Sequence, residues 1–185
     1  MPTPLNSALL FVIKTISNLV IIVFILRLLL QWARLDFYNP VSQFVLRATN
    51  PLVAPLQRAL PRSRFVDIPG AIILIIVTAA VNFMLLGLVG FRPSLPAFVY
   101  YTFARIIHLG VLIYVVCIVV VAVLSWFGQP AHHPVAHALR NLVEPLLRRF
   151  RRFIPPYQGI DFSPLAAIIC LYVIRILLPL PSVLL

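Results

Sequence analysis

The sequence predicts an all-α membrane protein of four transmembrane helices in two parallel repeats, each with an amphipathic interfacial helical loop on the cytoplasmic side. Three observations predict it: an apolar composition, four stretches long enough to span, and a gapless internal repeat. Hydrophobic residues make up 62% of the 185 and charged residues 10%, against about 45–50% and 25% in soluble domains. A water-soluble globule could not cover that much apolar surface, and the mean hydropathy of +1.06 agrees. Disorder is excluded by the same figures, because disordered chains are poor in apolar residues and rich in charge.

The spans come first. Crossing the hydrocarbon takes about 20 apolar residues, and the stretches 8–30, 69–91, 106–127 and 163–180 qualify or come close. Lys14, Asn18 and Arg27 lie in the first, His108 opens the third, and Arg175 lies in the fourth. Lys14, Arg27 and Arg175 each sit within a few turns of an expected interface, so they are read as snorkelling. The first stretch lacks a basic n-region and a small-residue cleavage site, so it is expected to stay as an anchor. Trp32 and Trp126 are expected to anchor the interface where spans one and three end.

Orientation follows from the basic residues. Fifteen Lys+Arg against four Asp+Glu give a net charge of +11, and fourteen of the fifteen are Arg. Five arginines fall in 31–68, five in 128–162, and only Arg92 and Arg105 in the expected external linker 92–105. Positive residues collect on the cytoplasmic side, which puts both long connections inside and both termini outside. The surplus is read as facing anionic membrane lipids, with no specific nucleic acid as partner.

Comparison of the chain with itself finds the repeat at an offset of 94. Trp32 and Trp126, Pro40 and Pro134, Val41 and Val135, Pro51 and Pro145, Leu52 and Leu146, Arg58 and Arg152, Pro61 and Pro155, and Asp67 and Asp161 are the pairs. Rare residue types carry the match. It divides the chain into 8–91, the linker 92–105, and 106–185. Each unit starts and returns on the same side, so the repeats are parallel in topology.

The long connections carry their own pattern. Leu139, Leu142, Val143, Leu146, Leu147, Phe150, Phe153 and Ile154 recur at helical spacing, with Arg140, Glu144, Arg148, Arg151 and Arg152 on much of the other side. That pattern predicts a basic amphipathic helix in the interface plane. Pro145 lacks an N–H and is expected to start a second short helix. The first connection, with Phe44, Val45, Leu52, Val53, Leu56 and Leu60, is expected to be broken by Pro51 and Pro55.

Several strings within these repeats resemble the YggT family of small bacterial membrane proteins, also called YlmG. They are Gln31-Trp32-Ala33, Asp36-Phe37-Tyr38-Asn39-Pro40 and Pro51-Leu52 through Arg58 to Pro61. In the second copy they are Glu144-Pro145-Leu146-Leu147, Arg151-Arg152, Ile154-Pro155-Pro156 and Gly159-Ile160-Asp161-Phe162-Ser163-Pro164. The resemblance implies links to osmotic-stress tolerance, to cell or plastid division, and to the assembly of membrane complexes. It brings no biochemical activity with it.

Candidate residues are then few. Asp67 and Asp161 each precede a span with proline close behind, the pattern of a helix cap, with Arg58 and Arg152 as expected ion-pair partners. Arg58, Arg140, Arg148, Arg149, Arg151 and Arg152 are expected to face lipid or a partner. His132, His133 and His137 are read as a solvated loop: only Glu144 lies near, and zinc usually takes three or four ligands. Cys117 and Cys170 have no paired spacing. Gly87 and Gly90 with Ala79, Ala80 and Asn82 suggest a close-packing helix face. No nucleophile elbow, P-loop or Rossmann motif is present, so the chain is expected not to be an enzyme and to hold no metal or cofactor. Two functions stay open: a non-catalytic membrane adaptor or assembly factor working with other membrane proteins, and an oligomeric channel or transport component for osmotic adaptation, built as a homo-oligomer.

Overall fold

The computed structural model describes residues 4–33, 39–59, 67–126, 134–154 and 161–185. Among them the chain is all-helical: α1 Pro4–Trp32, α2 Pro40–Ala59, α3 Ile68–Leu88, α4 Leu95–Trp126, α5 Pro134–Phe153 and α6 Ser163–Leu177. Three of these helices, α1, α3 and α4, are long and apolar enough to cross a membrane. The fourth expected span is shorter as a helix, because α6 stops at Leu177 just ahead of Pro179 and Pro181. Pro179 cannot supply a helical N–H, and residue 178 is disfavoured in the α region by the proline after it.

The first correction concerns the linker. Residues 95–105 are the opening turns of α4, so the connection shrinks to 89–94. Span counting that starts after the last charge stops at Arg105, yet Leu95, Phe98, Val99 and Phe103 carry the apolar run beyond it. α3 ends where the Phe91 N–H reaches back to the Leu86 carbonyl across Gly90, whose φ of 70° suits a residue without a Cβ. Gly87 faces open space and does not mark a helix contact.

The prolines of the two connecting helices bring the second correction. α2 runs through Pro51 and Pro55, and α5 runs through Pro145. Pro51 and Pro55 share an exposed stripe one turn apart, where the carbonyls they free can be solvated. Pro40 and Pro134 start the helices, where a missing N–H costs nothing.

One apolar core joins all six helices. Ile21 and Phe24 of α1 meet Leu74 of α3, Leu109 and Ile118 of α4, and Ala167 of α6. Val53 of α2 and Leu142, Val143 and Leu147 of α5 close the same core. α2 and α5 touch each other, and each packs on the long helices of its own repeat. Connectivity therefore puts α2 and α5 at one end of the bundle. At the other end residues 178–185 fold back, and Leu184 is buried against Leu85 and Leu86 with Ile13, Phe98 and Tyr101 around it. The outer surface of α6 carries Leu165, Ile169, Val173 and Ile176 in one exposed apolar stripe.

Candidate functional site

At the α2/α5 end the two repeated aspartates hold different structures. Asp67 is the N-cap of α3, its Oδ1 accepting the Gly70 N–H at 3.0 Å. Its Oδ2 accepts from Nε of Arg27, and the two side chains are 7% and 4% exposed. The Arg27 guanidinium also donates to Thr49 Oγ1 at 2.7 Å and Asn50 Oδ1 at 2.9 Å on α2. Arg27 therefore does not snorkel: it ties α1, α2 and the start of α3 together in the interior. Gly70 makes room for this, since a Cβ there would lie 2.8 Å from Asp67 Cγ and 3.3 Å from Arg27 Nε.

In the second repeat the carboxylate takes its cation from another element. Asp161 Oδ2 accepts from Arg151 Nε of α5 at 2.8 Å, and Asp161 Oδ1 accepts the Ser163 N–H at 2.9 Å. The helix cap itself is Phe162, one residue further on. Arg151 also donates to Glu144 at 2.7 Å. These groups are part-exposed, so the triad works in a higher dielectric than the Arg27 pair. Burial pushes the Asp161 carboxyl up, but hydrogen bonding from Ser163 and Arg151 outweighs it and holds the group below the ordinary carboxylate range. Burial likewise lowers Arg151, and its bonds to Asp161 and Glu144 more than reverse that. Neither aspartate pairs as the repeat suggests: the cations are Arg27 and Arg151, not Arg58 and Arg152.

Most of the other arginines described at this end are exposed. Arg47 and Arg58 are exposed on α2, and Arg148, Arg149 and Arg152 are exposed on α5, while Arg140 is half-buried. The apolar stripe of α5, which the sequence assigns to the lipid interface, is largely buried in protein through Leu142, Val143 and Leu147. What α5 presents outward is mostly charge. Trp32 is 57% exposed at the end of α1. Trp126 ends α4, with its side chain outside the described residues. His132 and His133 also lie outside them. His137 is exposed on α5 beside the Asn141 amide, and among the described residues no three metal-ligating side chains come together.

A second polar cluster lies inside the bundle and was not expected. Arg105 of α4 is 0% exposed. It donates to Asn82 Oδ1 on α3 at 2.7 Å and to Asn18 Oδ1 on α1 at 2.8 Å, and its Nε has no partner. Closer to the tail, His108 Nε2 lies 2.7 Å from the Leu178 carbonyl, and Arg175 reaches His108 Nδ1 at 3.4 Å while stacking over Tyr172. Lys14 donates to the Ser182 carbonyl at 3.3 Å. The signal for Arg105 was the ten apolar-rich residues before it. For Arg27 it was Gly70, a poor helix former in the first turn of a span.

The CCB3/YggT family model matches the chain twice, over residues 6–89 and 100–182. The protein named uncharacterized protein YggT of Escherichia coli K12 is 36% identical over 169 residues, covering 91% of this chain and 88% of the relative. An uncharacterized protein of Pseudomonas aeruginosa is 30% identical over 94% of this chain and 89% of its own length. YlmG homolog protein 2, chloroplastic, of Arabidopsis thaliana is 43% identical over 59 residues, covering 32% of this chain and 23% of the relative. No solved structure matches significantly.

Proposed function

This chain belongs to the CCB3/YggT family, and on that premise we propose that it is a non-catalytic membrane adaptor or assembly factor. In this reading α1, α3, α4 and α6 are the four spans, α2 and α5 lie on the cytoplasmic side, and both termini lie outside, in a bacterial cytoplasmic membrane. One observation carries the proposal: the apolar side of α5 is committed to the core, so Arg148, Arg149 and Arg152 stand beside α2 with Arg47 and Arg58 as a charged face without a chemical task of its own. Such a face suits anionic headgroups and acidic segments of other membrane proteins. By resemblance to its family the adaptor serves osmotic-stress tolerance, division or complex assembly.

The test is purification from membranes in mild detergent, with mass and co-purifying proteins measured for the wild type and for an Arg148, Arg149, Arg152→Glu variant. The adaptor reading expects a monomer or dimer bound to a larger complex that the variant loses while remaining folded. A closed homomultimer with no other protein attached would refute it. That result would favour an oligomeric channel or transport component, the reading to which the buried Asn82 and Arg105, with the half-buried Asn18 bonded to Arg105, lend support.

A further inference from the structure

The acidic side chains of the described residues are confined to one end of the bundle. Asp67, Glu144 and Asp161 all sit at the α2/α5 end, and the fourth acidic residue, Asp36, falls in the connection between α1 and α2. Towards the opposite end lie Lys14, Arg105 and Arg175, and the bonds they make go to neutral groups: the Ser182 carbonyl, two asparagine carbonyls and the His108 ring. Arg105 is the extreme case. A guanidinium is charged at neutral pH, so it does not escape burial there by losing a proton. Asparagine carbonyls offer it dipoles but no countercharge, and burying an unneutralised charge is heavily penalised.

The surroundings are oriented towards that charge. Thr102 Oγ1 donates to the Phe98 carbonyl, and the Asn82 amide N–H2 points at Thr102 Oγ1. The Asn82 carbonyl is thereby turned to Arg105, while the Nε–H of Arg105 is left buried with no acceptor. We propose that Arg105 binds a small monovalent anion of the halide class, with its Nε–H as the principal donor and the Asn18 amide as a second. The full burial of Arg105 shuts out the carboxylate of a protein partner. Its single charge matches a single negative charge, and its one unpartnered N–H suits one atom better than a tetrahedral oxyanion. A groove of about 620 Å³ lined by Tyr100, Tyr101 and Leu180 lies at the tail end, with Tyr101 one turn ahead of Arg105 on α4. Lys14 and Arg175 at that end raise the local anion concentration.

The experiment uses the full chain in lipid nanodiscs. Equilibrium dialysis with radiolabelled chloride, at an ionic strength held constant with gluconate, is expected to show saturable binding near one per chain. Chloride is expected to raise the thermal midpoint saturably, by about 3 °C, because a ligand held only by the folded state stabilises it. Arg105→Gln should abolish both signals, Arg105→Lys should keep a weakened version, and Arg148→Gln should leave them unchanged. Absence of saturable binding to the wild type overturns the proposal, whether or not Arg105→Gln folds. Binding that survives in a folded Arg105→Gln variant places the anion elsewhere and overturns it as well.

Discussion

Asp67→Asn separates two tasks that one carboxylate performs. In the native cluster Oδ1 caps α3 through Gly70 and Oδ2 receives Arg27. An asparagine has one carbonyl oxygen and one NH2 group. Whichever donor its oxygen serves, its NH2 faces the other donor, so either the cap or the Arg27 bond is lost. The charge is lost in both cases. Arg27 then stays buried with only Thr49 and Asn50 as neutral acceptors.

Breaking a buried pair by removing one partner costs roughly 3–5 kcal/mol. The two surviving bonds to Arg27 put this case at the low end, about 3 kcal/mol. In a chain of this size about 3 kcal/mol corresponds to a drop of about 10 °C in the thermal midpoint. Asp161→Asn in the part-exposed triad should cost about 0.5 kcal/mol, the scale of an exposed ion pair. The repeat on its own implies that asparagine is mild at both positions, because either side chain can cap a helix, so the two readings differ sharply at Asp67. Thermal unfolding in nanodiscs measures it, alongside Asp67→Asn combined with Arg27→Leu. The double variant should recover most of the loss, since an apolar replacement of a buried pair is often close to neutral. A single Asp67→Asn within about 1 kcal/mol of wild type, or a double variant no better than the single, would refute the reasoning.

Gly70→Ala should cost about 2 kcal/mol, the usual scale of overpacking, because its Cβ collides with the Asp67–Arg27 pair. Gly87→Ala, with open space around it, should be neutral or stabilising, and equal unfolding midpoints for the two variants would contradict this. Asp161 titrates below the ordinary carboxylate range, so its contribution is present above about pH 4 and lost as pH falls through its folded value. Hydrogen exchange at the α5–α6 junction should be protected evenly from pH 7 to about 4.5 after correction for the intrinsic exchange rate and should rise below about pH 4, and Asp161→Asn should remove the acid-dependent part. Softening already between about pH 6 and 7 would count against that assignment. For topology, Ser94→Cys in a background lacking Cys117 and Cys170 should react with an impermeant reagent added outside intact cells, and Gln43→Cys, exposed on α2, should not. Labelling at Gln43 would reverse the orientation.

The sequence makes the apolar helices, the repeat and the helical character of both connections readable, because each rests on local periodicity or on identity at a fixed offset. The ionic partnerships are not local. Symmetry points from Asp67 and Asp161 to Arg58 and Arg152, yet Arg27 has Val121 as its counterpart at the offset of 94, and Arg151 has Gln57. The cations are therefore invisible to a search for paired positions. Arg105 is misplaced for a related reason: charge is an effective marker of a span end only when it faces water, and here it faces two asparagines inside the bundle. Proline misleads at 51, 55 and 145, where a tertiary surface pins helices that isolated peptides would break.

The folded-back segment 178–185 has a consequence for biosynthesis. Lys14 and its acceptor on Ser182 are separated by 168 residues. At about 5–20 residues per second of elongation, the Ser182 carbonyl emerges roughly 10–30 s after Lys14. Throughout that interval the lysine has no carbonyl from this segment, and Leu85 and Leu86, once inserted, await the side chain of Leu184. Until residues 178–185 dock, the bundle therefore has an uncapped end. That intermediate exposes Leu85 and Leu86 beside a lysine that lacks its acceptor on Ser182, a surface that the finished protein covers.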